Sequence, residues 1–367
     1  MREFRLATRV MVGADALEVL EEFREVPVFF VTDDFLATTE VYAKVVAKLG
    51  DQVTAFTGVK PNPSTSQIGD GVSVYMKARP EVVVAYGGGS VMDAAKVMHK
   101  AALDAGFGAP KGIVAIPTTS GSGSEVTSFA VVTDEQTHTK VPIVSQELVA
   151  GLAILDPEAV AGVPPHITAD SGMDVLTHAI EAYVATGASD FSDALAEKSV
   201  ELVFGNLARC YTHGDDMKAR SHMHNASCMA AMAFDNAGLG IVHSMAHALG
   251  GHYPIAHGRL NALLLPHVIE FNADRSDRAA ERYARLGRLL QPSARGRAAV
   301  TSLVGSVERL RSALGIPSRL GELKVASDVL RRDENDLVAA ALADGCTTTT
   351  PAAPSADDLK AILRKIA

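Results

Sequence analysis

The N-terminal part of the chain alternates short apolar runs with stretches that have helical periodicity. Four of the apolar runs are rich in β-branched residues and bounded by turn residues, which predicts buried strands. These runs cover residues 28–32, 81–86, 112–116 and 151–155. Residues 39–49 and 91–103 lie between them and have apolar positions at helical spacing. Strands that alternate with helices predict a parallel sheet with helices on its faces, an α/β fold.

The pattern changes at Pro164 and Pro165, after which the strand-like runs stop. Long Ala-, Leu- and Arg-rich segments follow, separated by Gly, Pro and Asp, which predicts an all-helical region whose last helix begins at Ala356. Because a domain typically contains about 150 residues, a chain of 367 residues predicts two domains. We place an α/β domain at residues 1–163 and an all-α domain at residues 164–367.

Composition and charge narrow the class of protein. Lys and Arg total 34 against 43 Asp and Glu, a formal net charge of −9, so the chain lacks the basic excess with which proteins bind nucleic acid. The three cysteines are far apart and form no CxxC pair, which argues against a disulfide framework and a cysteine-based zinc site. The sequence contains no apolar segment typical of a signal peptide or a membrane span. We therefore expect a soluble, cytoplasmic protein that binds neither nucleic acid nor membranes.

Two glycine-rich loops follow predicted strands. Residues 87–90 (GGGS) open a helix, so backbone amides and the helix N-terminus can approach an anion. Residues 116–127 (IPTTSGSGSEVT) offer hydroxyl groups suited to a pyrophosphate or a ribose. The first loop is not a GxGxxG fingerprint, and an ordinary turn without a ligand is the alternative for each loop. Because parallel sheets bind ligands at the carboxyl ends of their strands, the two loops together predict a nucleotide site.

Carboxylate and imidazole groups recur at helical spacing in the second half of the chain. Asp174 and His178 are four residues apart, as are His243 and His247, and this spacing puts each pair on one helix face. His257 follows ten residues after His247. Such ligands suit Fe²⁺ or Zn²⁺, whereas the run HSMAH lacks the Glu that a zinc peptidase helix requires. We expect the other histidines to be structural: His99, His138, His166, His213, His222, His224, His252 and His267.

Five segments resemble those of the iron-containing (group III) alcohol dehydrogenases, and the resemblance extends over nearly the whole chain. The segments are PNPS at 61–64, GGGSVMDAAK at 87–96, IPTTSGSGSEVT at 116–127, GMDVLTHAIEAY at 172–183 and GIVHSMAHALGGHYPIAHGRLNALLLPH at 240–267. The resemblance implies an N-terminal dinucleotide-binding domain, a helical C-terminal domain and a metal in the cleft between them.

The resemblance also implies roles for individual residues. The metal ligands, for Fe²⁺ with Zn²⁺ as the alternative, fall on Asp174, His178, His243 and His257. The resemblance implies that His247 is a catalytic residue near the nicotinamide and does not bind the metal. Its imidazole can pass the alcohol proton towards the ribose hydroxyls. A packed histidine in the same helix is the alternative. The residues implied to bind NAD(H) are Asp33, Asn62, Gly88, Gly89, Ser90, Asp93, Thr118, Thr119, Ser122, Val131 and Lys140.

Asp33 follows the predicted strand 28–32, and its carboxylate is expected to select the nucleotide. It can accept hydrogen bonds from the adenosine ribose 2′-OH and repel a 2′-phosphate, which favours NAD(H) over NADP(H). The alternative is that Asp33 or Asp34 only caps the next helix.

Within the family, residues 6–13, 188–204 and 223–234 resemble the propanol dehydrogenases of propanediol-utilising bacterial microcompartments. This implies reversible, metal-dependent hydride transfer between NAD(H) and a small aliphatic aldehyde or alcohol such as propanal or 1-propanol. A microcompartment shell protein and a second copy of the chain are the candidate protein partners. The alternatives are an enzyme similar to dehydroquinate synthase or glycerol dehydrogenase, a relative acting on lactaldehyde or 1,3-propanediol, and a scaffold without turnover. Residues 346–354 depart from the family's usual Asn-Pro-Arg ending and are expected to lie away from the metal.

Overall fold

The computed structural model describes residues 3–136 and 139–367, except for the side chain of Thr139. His138, which we expect to be structural, lies outside the described residues. The chain forms two compact units. One unit comprises Arg5–Val163 and Gly214–Cys228. The other comprises Pro164–His213 and Met229–Ala367, with the short segment that precedes Arg5.

The first unit is built on a six-stranded parallel sheet, as the alternating pattern predicts. Its strands are β1 (Arg9–Val12), β2 (Val28–Val31), β3 (Val53–Phe56), β4 (Val82–Gly87), β5 (Ile113–Pro117) and β8 (Leu152–Leu155). Their order across the sheet is β1-β8-β5-β4-β2-β3, and every neighbouring pair is parallel. Strands β6 (Phe129–Asp134) and β7 (Thr139–Val144) form a separate antiparallel hairpin.

Both faces of the central strands are buried. Phe29 and Val31 of β2 pack in one cluster of buried side chains, and Val28 and Phe30 pack in another. The helices of this part of the chain are α1 (Glu40–Leu49), α2 (Thr65–Ala78), α3 (Gly89–Asp104) and α4 (Glu158–Ala161). Side chains of α2 and α3 join the first cluster and those of α1 join the second, which explains why the central strands read as continuous apolar runs.

Residues 164–367 form helices and no strand in the structure, as predicted. The helices are α5 (Pro165–Val184), α6 (Asp190–Thr212), α7 (Met217–Ala237), α8 (Ile241–His252), α9 (His257–Arg275), α10 (Asp277–Leu290), α11 (Gly296–Ala313), α12 (Ser327–Ala343) and α13 (Ala356–Lys365). Short 3-10 helices occur at Ala16–Phe23, Leu36–Thr38, Ser124–Val126, Gln146–Leu148, Leu320–Leu323 and Gly345–Thr349. Across residues 3–136 and 139–367, no helix combines the length and apolar content needed to span a bilayer.

Candidate functional site

The two glycine-rich loops of the first unit lie against each other. Gly88 is the N-cap of α3, and because it has no side chain it leaves the first backbone N–H groups of the helix to an anion. A Cβ on Gly88 would lie 3.3 Å from the side chain of Thr119, and one on Gly89 would lie 3.0 Å from Ser122 Oγ. The two glycines therefore allow the second loop to approach the N-terminus of α3 closely.

Asn62 lies next to the N-terminus of α3. Its backbone has a φ of 56°, a left-handed conformation that Asn tolerates better than most residues. Its N–H donates to Ser90 Oγ at 3.3 Å. The structure thus brings the PNPS turn to the loop at residues 87–90, two segments that the sequence places in one nucleotide site.

Asp93 connects α3 to the second loop and to the hairpin. One carboxylate oxygen accepts a hydrogen bond from Ser124 Oγ at 2.8 Å, and the other accepts one from the Val131 N–H at 3.0 Å. Burial raises the pKa of Asp93, and the charge of Lys96 opposes this effect. Asp93 therefore positions the loop and Val131, and in this structure both of its oxygens are engaged by the protein.

Thr118 and Lys140 complete the set of residues expected at the nucleotide. Thr118 is buried at the end of β5, and its N–H donates to the Gly87 carbonyl at 3.0 Å. Lys140 is exposed on β7 and pairs in register with Thr133. Its charge lowers the pKa of Asp93, so it lies within electrostatic range of the same loop.

Lys96 is a residue of this site that the sequence analysis does not single out. Its side chain is buried, and its Nζ donates to the carbonyl of Thr127 at 2.7 Å and to that of Phe129 at 2.9 Å. It therefore ties α3 to the end of the second loop and the start of the hairpin. The sequence signal that could have identified Lys96 is a lysine within the apolar stretch of a predicted helix.

Asp33 makes a capping contact, which is the alternative to its expected role in selecting the nucleotide. One oxygen accepts a hydrogen bond from the Leu36 N–H at 2.7 Å, at the start of a 3-10 turn. This contact uses one of the two carboxylate oxygens. Asp34 differs, since its Oδ1 accepts from Thr57 Oγ1 at 3.1 Å.

The residues of the second unit that are expected to bind a metal come together from three helices. Asp174 and His178 lie on α5, His243 lies on α8, and His257 is the first residue of α9. From Asp174 Oδ1, the Nε2 atoms of His178, His243 and His257 are 3.8, 3.7 and 3.5 Å away. All four residues predicted as ligands therefore come together around one carboxylate oxygen.

Asn261, one turn after His257 on α9, shows what this arrangement can hold. Its Nδ2 donates to Asp174 Oδ1 at 2.6 Å and lies 3.3 Å from Nε2 of His243 and 3.1 Å from Nε2 of His257. A single positively polarised group is thus surrounded by a carboxylate oxygen and two imidazole nitrogens. Three nitrogen donors and one carboxylate oxygen fit a divalent cation such as Fe²⁺ or Zn²⁺.

Glu181 orients His243 and anchors the helix that carries it. The His243 Nδ1–H donates to Glu181 Oε2 at 2.6 Å, so Nε2 faces Asp174. The two carboxylate oxygens also accept the N–H groups of Gly240 at 3.0 Å and Val242 at 2.8 Å, which caps the N-terminus of α8. Burial lowers the pKa of His243, but the carboxylates of Asp174 and Glu181 outweigh this effect and raise the pKa to about 9. A cation binding there must displace a proton.

Gly258 allows α9 to approach α5 closely enough to place His257. A Cβ at Gly258 would lie 1.9 Å from the carbonyl oxygen of Asp170 and 3.1 Å from the Cβ of Asp174. The first contact is with backbone, so any side chain would push the start of α9 away from the cluster. The arrangement of His257 therefore depends on this glycine.

His247 stands apart from Asp174 and the three histidines around it. Its ring stacks on His257 with centroids 5.1 Å apart, its side chain is 45% exposed, and its Nδ1–H donates to Asp344 Oδ2 at 2.8 Å. Burial raises the pKa of Asp344, but the hydrogen bond and charge of His247 outweigh it and lower the pKa to about 2. Asp344 is therefore ionised and holds the His247 ring in one orientation.

The start of the 346–354 segment does not lie away from this region, contrary to expectation. Thr347 Oγ1 donates to Ser244 Oγ at 2.7 Å, next to His243 in the chain, and Thr349 Oγ1 donates to the Leu239 carbonyl at 2.7 Å. The segment packs on α8 because threonine hydroxyls satisfy polar groups at the start of that helix.

The sequence analysis missed Glu181, Asn261 and Asp344 as members of the site. Glu181 follows His178 by three residues and Asn261 follows His257 by four, so helical spacing was a usable signal for both. Asp344 is 97 residues from His247, and no local pattern connects them.

The comparisons with known proteins agree on one family. Residues 7–157 match the profile described as iron-containing alcohol dehydrogenase, and residues 168–367 match that of the Fe-containing alcohol dehydrogenase family, C-terminal. The chain is 42% identical to the 1-propanol dehydrogenase PduQ of Citrobacter freundii, with 100% of both chains covered. A crystal structure of 1,3-propanediol oxidoreductase superposes with a TM-score of 0.93 at 33% identity, covering 100% of each chain.

Two further relatives differ in the nucleotide that their names give. The NAD-dependent methanol dehydrogenase of Bacillus methanolicus is 34% identical, with 99% of both chains covered. The NADPH-dependent butanol dehydrogenase of Clostridium saccharobutylicum is 38% identical over 85% of this chain and 83% of its own. Similarity at this level therefore does not by itself select the nucleotide.

Proposed function

This chain belongs to the iron-containing alcohol dehydrogenase family, and on that premise we propose that it interconverts a small aliphatic aldehyde and its alcohol with NAD(H). The proposed substrate pair is propanal and 1-propanol, with aldehyde reduction as the direction in the cell. The name of the Citrobacter freundii relative supports this substrate. The convergence of Asp174, His178 and His243 with His257 is the observation that carries the proposal.

The chemistry divides between the bound groups and the side chains of the chain. When bound, a divalent cation supplies Lewis acidity to the substrate oxygen, and the nicotinamide supplies or accepts the hydride. Asp174 and the three histidines hold that cation, and Glu181 keeps the Nε2 of His243 turned towards it. The glycine-rich loops and the N-terminus of α3 bind the diphosphate of the nucleotide.

His247 moves the proton in this proposal. Asp344 accepts its Nδ1–H, which leaves Nε2 as the atom that exchanges a proton with the alcohol oxygen. The half-exposed ring then exchanges that proton with solvent or with a hydroxyl of the nucleotide. Asp344 positions His247 for this step and does not contact the reacting atoms.

The variant His247→Ala is expected to keep its metal and lose rate by about 100-fold or more, the scale of a general acid–base contribution. Metal analysis and kcat on the same preparation measure the two effects. Lys77→Ala, at an exposed position of α2, is a surface control expected to change neither. Loss of the metal from His247→Ala would make His247 a ligand and displace one of the four proposed ligands.

Asp33 is proposed to select NAD(H), and its capping contact to Leu36 determines how this must be tested. Asp33→Asn keeps an oxygen for the Leu36 N–H and removes the charge, whereas Asp33→Gly removes both. Both variants are expected to raise the ratio of kcat/KM with NADPH to that with NADH, because a carboxylate repels the 2′-phosphate. Asp34→Gly should change the ratio little. A wild-type preference for NADPH, or an unchanged ratio in both Asp33 variants, would leave Asp33 as a cap only.

The substrate is tested with a panel of C2–C4 aldehydes and NADH, assayed anaerobically with iron supplied. Propanal is expected to give the highest kcat/KM. The structural similarity to 1,3-propanediol oxidoreductase favours 1,3-propanediol as the second candidate, so 3-hydroxypropanal and lactaldehyde belong in the panel. An enzyme of the dehydroquinate synthase type would show no net oxidation of NADH, and a scaffold would show no turnover at all.

A place inside a bacterial microcompartment is proposed from similarity to PduQ. It predicts that the protein co-purifies with shell proteins from its native host. A uniformly cytosolic fluorescence signal under conditions that induce compartments would contradict it.

A further inference from the structure

A second group of metal-type side chains lies in the helical unit beside His247. His247 Nδ1, a carboxylate oxygen of Asp344 and the Sγ of Cys346 all lie within 4.8 Å of one another. None of these residues belongs to the cluster of Asp174 with His178, His243 and His257. The sequence analysis treats Cys346 only as an unpaired cysteine, and the reaction proposed above gives its thiol no task.

The backbone around this cluster is held in place from both sides. Asp344 is the N-cap of the 3-10 helix Gly345–Thr349, and its Oδ1 accepts the Cys346 N–H at 2.8 Å. Its Oδ2 accepts the His247 Nδ1–H at 2.8 Å. The hydroxyls of Thr347 and Thr349 bind the start of α8, each at 2.7 Å. The three donor atoms are thus brought together by a folded segment.

The chemistry of the three donors selects a class of cation. An imidazole nitrogen, a carboxylate oxygen and a thiolate sulfur are the ligand types of zinc sites, and three protein ligands leave one tetrahedral position for water. The ionised carboxylate of Asp344 adds negative charge at the cluster. Burial and this charge raise the pKa of the Cys346 thiol, so a cation that binds there must displace the thiol proton. Thiolate ligands favour Zn²⁺ and similarly thiophilic cations over Mg²⁺ or Ca²⁺.

We propose that His247, Asp344 and Cys346 form a second cation site that takes Zn²⁺ or another thiophilic divalent cation and inhibits the enzyme. On binding, the cation bonds to the Cys346 sulfur, and the thiol proton is released to solvent. The cation also bonds to His247 Nδ1, so the ring proton moves to Nε2. His247 then cannot accept the alcohol proton at Nε2, and it cannot supply one in aldehyde reduction without becoming an imidazolate, a consequence that rests on the function proposed above.

Cobalt separates the two sites spectroscopically, because a thiolate bound to Co²⁺ gives a charge-transfer absorption that nitrogen and oxygen ligands do not give. The cluster around Asp174 contains no sulfur ligand. Titrating metal-free full-length protein with Co²⁺ is expected to give this absorption only with binding at Cys346. Cys346→Ser should abolish it and still bind Co²⁺ at the Asp174 cluster. Cys210→Ala, which alters a buried cysteine elsewhere in the same unit, should keep it.

Inhibition is measured on iron-loaded protein by adding Zn²⁺ and following activity and iron content together. Wild type is expected to lose activity without losing iron and to recover on brief chelation. Cys346→Ser should need at least about tenfold more Zn²⁺, since even the loss of outer-shell partners costs about 10–100-fold in metal affinity. Release of iron by Zn²⁺, or equal sensitivity of Cys346→Ser and wild type, would overturn the inhibitory role.

The absence of the thiolate absorption in wild type would overturn the site itself. The cobalt titration does not depend on turnover, so it decides the site even if the protein fails to reduce any aldehyde. Conversely, normal aldehyde reduction with no thiolate absorption would leave the proposed function standing and remove only the second cation site.

Discussion

Asp174→Ala and His257→Ala are each expected to abolish turnover and lower the bound metal, while the nucleotide still binds. The Oδ1 atom of Asp174 is the common neighbour of all three imidazole Nε2 atoms, so its removal takes away the negative charge on which they converge. His257 supplies a nitrogen from a third helix, and its loss leaves a three-donor set. The glycine-rich loops belong to the other unit of the chain, which is why nucleotide binding should survive.

Three measurements on one preparation of each variant test this prediction: metal content by elemental analysis, kcat, and NADH binding by fluorescence. His166→Ala, at the start of the same helix as Asp174, is a matched control expected to behave as wild type. Full metal occupancy together with normal activity in either variant would remove that residue from the metal site.

Glu181→Ala is expected to weaken metal binding by about 10–100-fold, the usual effect of removing an outer-shell partner of a histidine ligand. The same change leaves the buried N–H groups of Gly240 and Val242 without their acceptor, and each unsatisfied buried donor costs about 1–3 kcal/mol. The free energy of unfolding should therefore fall as well. Both effects come from one carboxylate because it caps α8 and orients His243 at the same time.

Glu181→Gln separates the two roles. Its amide oxygen can still accept one of the three hydrogen bonds, so the loss of stability should be smaller than in Glu181→Ala, while the weakening of metal binding persists. Chelator competition measures metal affinity, and denaturant unfolding measures stability. Glu201→Gln on the exposed face of α6 is the control, since its side chain is 63% exposed. Unchanged metal affinity in both Glu181 variants would reduce Glu181 to a helix cap.

The pattern of apolar residues predicted the strands at the centre of the sheet but not those at its edges. The predicted strands match β2, β4, β5 and β8, which have buried apolar side chains throughout. Strands β1 and β3 are the two edges of the sheet, and their residues are exposed or half-buried. An edge strand has a neighbour on one side only, so its sequence carries a weaker apolar signal. The hairpin of β6 and β7 escaped prediction for a similar reason, since part of it is exposed.

Helical periodicity by itself determined which carboxylates and imidazoles share a helix face, because that depends only on residues three or four positions apart. It therefore placed Asp174 with His178 and His243 with His247, and the resemblance to the family added His257. Only the tertiary structure decided that α5, α8 and α9 bring Asp174, His178, His243 and His257 to one point, with Gly258 permitting the approach. It alone also joined Glu181 to His243 across 62 residues and Asp344 to His247 across 97. Contacts over such separations depend on how helices pack, and the periodicity of a helix shows which of its faces is buried but not which other helix packs against that face.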